Sequence, residues 1–80
     1  MSLRLQPVRV ATGSPDTAGQ LAFADGFLVA VLVLLSDGHA EAGMWFLEAG
    51  FGRVNTATPP MFADIDPAQN WIEQRLVRTA

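Results

Sequence analysis

The amino-acid sequence predicts a small α+β protein: an antiparallel β-meander of three or four strands with one C-terminal α-helix packed on one sheet face. Three observations carry this. Residues 27–35, FLVAVLVLL, are nine consecutive apolar residues, too few for a bilayer span of about 20 and too apolar for a strand with one wet face. Asp25-Gly26 joins that run to a second, mostly apolar run at 20–24, the composition a type I′ hairpin turn needs because both central residues take positive φ. Asp66-Pro67 opens a segment whose apolar residues recur at helical spacing. The 80 residues read as one domain, 1–80. A chain of this length buries a modest share of its surface and is marginally stable alone.

At the N-terminal end, Leu3 and Leu5 share one strand phase and Val8 and Val10 the other. Pro7 at the change of phase lacks the ladder donor, which predicts an edge strand or a bulge there. Residues 11–19, ATGSPDTAG, are turn formers without an apolar period. They read as a long loop, either mobile or used for binding.

A two-residue turn at Asp25-Gly26 sets Ala24 opposite Phe27, Phe23 opposite Leu28 and Ala22 opposite Val29. Simple alternation then gives one face with Leu21, Phe23, Leu28, Ala30, Leu32 and Leu34. The other carries Ala22, Ala24, Phe27, Val29, Val31, Val33 and Leu35.

Residues 36–39 read as the next turn. For 41–52 two readings compete. Bulky and aromatic content at 44–48 favours a third strand; a helix over 37–49, stopped by Gly50 with Phe51 as its capping contact, is the alternative. Gly43 weakens the helix, so a strand is expected. Residues 52–60 read as loop with a short edge strand at 54–58 stopped by Pro59-Pro60, and Met61-Phe62 as the return to the core. The helix is expected from Pro67 to about Val77. Asp66 would be its N-cap, Pro67 its first residue and Gln69 the partner in a capping box. Ala68, Trp71, Ile72 and Leu76 form its apolar stripe, and Arg75 and Arg78 suit its C-terminal dipole.

A helix of about eleven residues is about 16 Å long and covers part of one sheet face. The opposite face is apolar too, and exposing it is unusual for a soluble monomer. Phe27, Val29, Val31 and Val33 are therefore the expected self-interface of a homodimer. Coverage by the loops at 11–19 and 52–60, or by a helical 41–49, is the competing reading.

Little in the chain points to catalysis. It has no cysteine and one histidine, so no disulfide framework and no thiolate metal site. No catalytic, cofactor-binding or metal residues are expected. His39, between Asp37 and Glu41, reads as turn surface. Asp64 and Asp66 read as the helix start, and Glu48, roughly opposite Phe27, as a solvated strand-end residue. Gly43, Gly50 and Gly52 match no phosphate-binding pattern. Five arginines, no lysine and eight scattered acids give a net charge of -3, with no basic stripe. Nucleic acid and anionic membranes are accordingly not expected partners. Residues 1–5 are not followed by an apolar targeting segment, so a cytoplasmic location is expected.

The segments DGFLVAVLVLL, WFLEAGFG and MFADIDPAQNWIEQRL, with Phe62, Asp66, Ala68 and Trp71 in the last, resemble small bacterial proteins of a meander-then-helix kind, many of them uncharacterised. The resemblance spans residues 20–78. It implies the fold and carries over no functional residue. Similar half-sheets occur in antitoxin-type and RNA-binding modules, but the acidic balance here argues against RNA contact.

The expected function is a non-catalytic, homo-oligomeric interaction module whose loops at 11–19 and 52–60 meet a protein partner. The alternative is a small-molecule-binding or sensing protein. Its pocket would lie at the helix–sheet or dimer seam, lined by Trp45, Glu48 and Arg53.

Overall fold

The computed structural model describes residues 3–13, 16–36 and 40–77. Five antiparallel strands follow chain order across one sheet: β1 (Leu3–Arg9), β2 (Ala18–Ala24), β3 (Phe27–Leu34), β4 (Trp45–Gly50) and β5 (Met61–Phe62). The helix α1 (Ile65–Val77) follows. The α+β meander with a C-terminal helix is the predicted class. It has five strands rather than three or four because β1 joins the same sheet and Met61-Phe62 pairs with β4.

β1 is an edge strand, as Pro7 requires. Its ladder with β2 runs unbroken from Leu3 opposite Ala24 to Arg9 opposite Ala18, so there is no bulge at Gln6-Pro7. Both phases are used without a slip: Leu3 and Leu5 pack on the core and Val8 lies on the other side. β2 begins at Ala18, two residues earlier than the expected 20, and Val10 N–H donates to Thr17 O at 2.7 Å to close the shortened loop.

Asp25 (φ 52°) and Gly26 (φ 87°) form the predicted positive-φ turn. Ala24 and Phe23 then face Phe27 and Leu28 as expected, but the next pair is Ala22 with Ala30. Val29 is an extra residue in β3, a β-bulge. Since side chains alternate with period two, one extra residue exchanges the faces of everything beyond it. Ala30 and Leu32 therefore join Ala22 and Ala24, while Val31 and Val33 join Leu21 and Phe23. This corrects the alternation drawn from the turn.

Residues 45–50 are a strand, which decides the segment against the helical alternative. Leu35 and Met44 extend the hairpin: Leu35 N–H donates to Met44 O and Gly43 N–H to Leu35 O, each at 2.9 Å. A second bulge falls here, since Leu32 faces Leu47 but Val31 faces Ala49. Glu48 is its extra residue and lies near Val31 and Leu32, not opposite Phe27.

Residues 54–58 do not form a strand. Instead Gly52–Val54 make a 3-10 turn that drives Val54 into the core, 0% exposed. Gly50 permits this, because a Cβ there would meet the Val54 carbonyl, 2.7 Å from its carbon. The helix begins at Ile65, and the Asp64 carboxylate accepts from Ile65 N–H at 2.7 Å. Asp64, not Asp66, is thus the residue preceding the helix. Asp66 sits in the first turn, where the dipole favours it, and Pro67 costs no hydrogen bond there.

The core lies between α1 and one sheet face. Ala22, Ala30, Leu32, Val54, Ala68 and Ile72 are all 0% exposed, and the alanines let the helix approach the strands. Trp71 and Leu76 complete the predicted stripe, with Phe62 against Trp71 at a centroid distance of 5.8 Å. Arg75 locks the helix end. Its guanidinium lies 5.3 Å from the Trp71 centroid, and it donates to Arg53 O at 2.9 Å and Asn55 O at 3.2 Å. In return Arg53 donates to Leu76 O at 3.3 Å.

Candidate functional site

The sheet face remote from α1 is the principal feature the core does not explain. The register orders it in three rows. Arg4, Phe23 and Leu28 form the first, then Gln6, Leu21, Val31 and Ala49, then Val8, Gly19, Val33, Phe46 and Met61. Leu21, Phe23, Val31 and Phe46 are only partly buried and do not pack on the helix-side core. Leu28 and Met61 are 37% and 43% exposed. No described helix or strand crosses this face, since every strand lies in the sheet and α1 packs on its other side.

Rows about 6.8 Å apart and strands about 4.8 Å apart allot about 33 Å² to each position, so the eight apolar positions outside the corner at Gly19 and Val33 span roughly 260 Å² of sheet. That approaches the size of the largest patch a typical monomer shows. One corner is already sealed. Gly19 has no Cβ, so Val10 lies against it, a Cβ there being 2.8 Å from Val10 Cγ2, and the neighbouring Val33 is 1% exposed.

The polar groups stand at opposite margins. On the β1 side the Arg4 guanidinium lies 5.4 Å from the Phe23 ring centroid. On the β4 side Glu48 is the exposed extra residue of the bulge beside Ala49, which pairs with Val31 of the remote face.

The four residues expected at the self-interface do not share a face. Val29 is 8% exposed and belongs to the helix-side core, and Phe27 stands 75% exposed at the hairpin end. Val31 and Val33 lie on the remote face. The β3 bulge separates them. Composition of the run contains no signal for it, whereas Leu21, Phe23 and Phe46 on the remote face follow once the register is known.

Trp45, Glu48 and Arg53 are not brought together either. Trp45 packs on the helix-side core, Glu48 is exposed in the β4 bulge, and Arg53 sits in the 3-10 turn bonded to the helix end. Two open depressions lie on the outer surface of α1, one lined by Trp71, Gln74, Arg75 and Val77, the other by Asn70, Glu73, Gln74 and Val77.

The loop at 11–19 holds a group the sequence reading missed. Asp16 is 6% exposed, and its carboxylate accepts from Ser36 N–H at 2.7 Å and from the Ser36 hydroxyl. Thr12 Oγ1 donates to Asp16 O at 3.0 Å. An aspartate among turn formers gives no sign of burial, because its partner is 20 residues away. Asp37 and His39 lie outside the described residues, as does Arg78. Among the described residues no group of three or more metal-ligating side chains occurs, and no helix is long and apolar enough to cross a membrane.

No protein-family model, no curated protein and no solved structure matches the chain.

Proposed function

We propose that this chain is a non-catalytic interaction module that works as a homodimer, joined through the sheet face remote from α1. The observation that carries the reading is the row array of Phe23, Leu28, Leu21, Val31, Phe46 and Met61 with no described element over it. Burying a large apolar side chain contributes about 1.5–3 kcal/mol, so several such groups left in water favour association.

Face-to-face packing suits the chain better than extension of the sheet through β1. Pro7 interrupts the donors of that edge, and Arg4 and Arg9 add charge to it. The apolar area is smaller than the 800 Å² or so per partner of a standard interface. The dimer is therefore expected to be weak and concentration-dependent. The loops expected at 11–19 and 52–60 are the parts of the chain proposed to meet a protein partner.

Molar mass by light scattering across a dilution series tests this. The expected result is a rise from 8.6 kDa towards twice that value with concentration. A constant monomer mass at every concentration overturns the reading. The rival reading, a ligand pocket formed by Trp45, Glu48 and Arg53, gains nothing from their separate positions.

A further inference from the structure

We infer that the two copies meet about a two-fold axis parallel to the strands, so that Arg4 of each protomer pairs with Glu48 of its partner. This rests on the reading of the remote face as the self-interface and specifies its geometry. The partner is a second copy of this chain, and charge placement selects it.

The face has a basic margin and an acidic margin. Arg4 belongs to β1 and is held across Phe23. Glu48 is the exposed extra residue of the β4 bulge. β1 and β4 are three strand spacings apart in the sheet, about 14 Å, so within one chain the two charges lie beyond about one screening length.

An isologous dimer of two stacked sheets has two simple ways to align its strands. With the two-fold axis across the strands, β1 stacks over β1 and β4 over β4, so basic margin faces basic margin and acidic faces acidic. With the axis along the strands, β1 stacks over the β4 side of the partner, and the opposite charges meet twice. Both axes keep the strands of the two sheets aligned, as is usual for stacked sheets, so the charge placement decides between them. Arg4 and Glu48 differ by about one side-chain row along the strands, roughly 7 Å, which the long arginine side chain spans.

The same placement assigns roles within the interface. Leu21, Val31 and Phe46 form its dry centre, and Arg4 and Glu48 form a polar rim that sets orientation. Like charges placed at both rim contacts work against association as effectively as the native pairs guide it.

Charge exchange between two variants tests the axis. In R4E alone, both rim contacts become acid against acid; in E48R alone, both become base against base. Each variant by itself is expected to dimerise at least about tenfold more weakly than the parent. An equimolar mixture of R4E and E48R restores both contacts in the heterodimer, one reversed and one native. Sedimentation equilibrium of the mixture is therefore expected to recover dimer that neither variant forms alone.

Circular dichroism and urea melts of each variant confirm that the fold is retained, as exposed positions predict. Leu21→Glu, at the centre of the face, serves as the control for the underlying reading. If Leu21→Glu abolishes dimer but the mixture shows no recovery, the axis is wrong and the face stands. If the parent is monomeric, or Leu21→Glu leaves its dimer intact, the face itself is wrong and the axis falls with it.

Discussion

The Asp16 carboxylate, buried in the loop between β1 and β2, accepts two hydrogen bonds from Ser36, one from its backbone N–H and one from its hydroxyl. This links the loop to the end of β3, across 20 residues of chain. Hydrogen bonds to charged groups contribute about 1.5–3 kcal/mol each, and an orphaned buried donor costs more than a bond is worth. Asp16→Ala is expected to lower the unfolding free energy by about 2–3 kcal/mol in urea melts. Ser36→Ala keeps the backbone donor and is expected to cost about 1 kcal/mol. Equal, negligible losses for both would show that the pair does not hold the loop.

Gly50 and Gly43 separate two reasons for glycine. At Gly50 a Cβ meets the backbone of Val54, whereas at Gly43 the space is open and only a φ of 87° disfavours a side chain. Gly43→Ala is expected to cost about 1 kcal/mol, the conformational penalty alone. Gly50→Ala must also displace the 3-10 turn that buries Val54, and a loss of about 2–3 kcal/mol is expected from the overpacking. Thermal melts of the two variants read the difference, and a smaller loss at Gly50 would contradict the close approach.

Arg75 joins Trp71 on its own helix to the carbonyls of Arg53 and Asn55. Its side chain is half-buried, so the bonds are partly screened. Arg75→Ala is expected to cost about 1–2 kcal/mol from the ring contact and the lost donors together. Arg75→Lys is expected to lose most of that, because an ammonium does not reproduce the planar fork. Full retention of stability in the lysine variant would assign the effect to charge alone.

Ile72 and Leu21 lie on opposite sides of the sheet, one on α1 and fully buried against the helix-side face, the other on the remote face. Ile72→Ala is expected to destabilise the fold by about 2–5 kcal/mol. Leu21→Glu is expected to leave the monomer's stability within about 1 kcal/mol while abolishing the concentration dependence of the molar mass. Urea melts at low protein concentration with light scattering at high concentration separate the two effects. A large loss of monomer stability in Leu21→Glu would mean that the remote face is covered within the chain.

Local chemistry was sufficient for much of this molecule. Asp25-Gly26 determines the hairpin because only residues tolerant of positive φ serve there. Pro7 marks an edge because it lacks a donor, and the Ala68, Trp71, Ile72, Leu76 stripe defines the buried side of the helix. Gly43 and the bulky residues around Trp45 foretell β4. The apolar excess of residues 27–35 likewise announces that β3 carries apolar side chains on both of its sides.

What only the tertiary structure decided is which residue lies on which side. In a strand apolar on both faces, sliding by one position exchanges one hydrophobic set for another at little cost, so the sequence does not specify its own phase. The bulges at Val29 and Glu48 settle it through pairing with β2 and β4, contacts made between distant segments. They put Val29 against the helix, leave Val31 on the open face and turn Glu48 outward. The burial of Asp16 and the rise of Val54 into the core have the same origin, since each depends on a partner segment that local propensity does not encode.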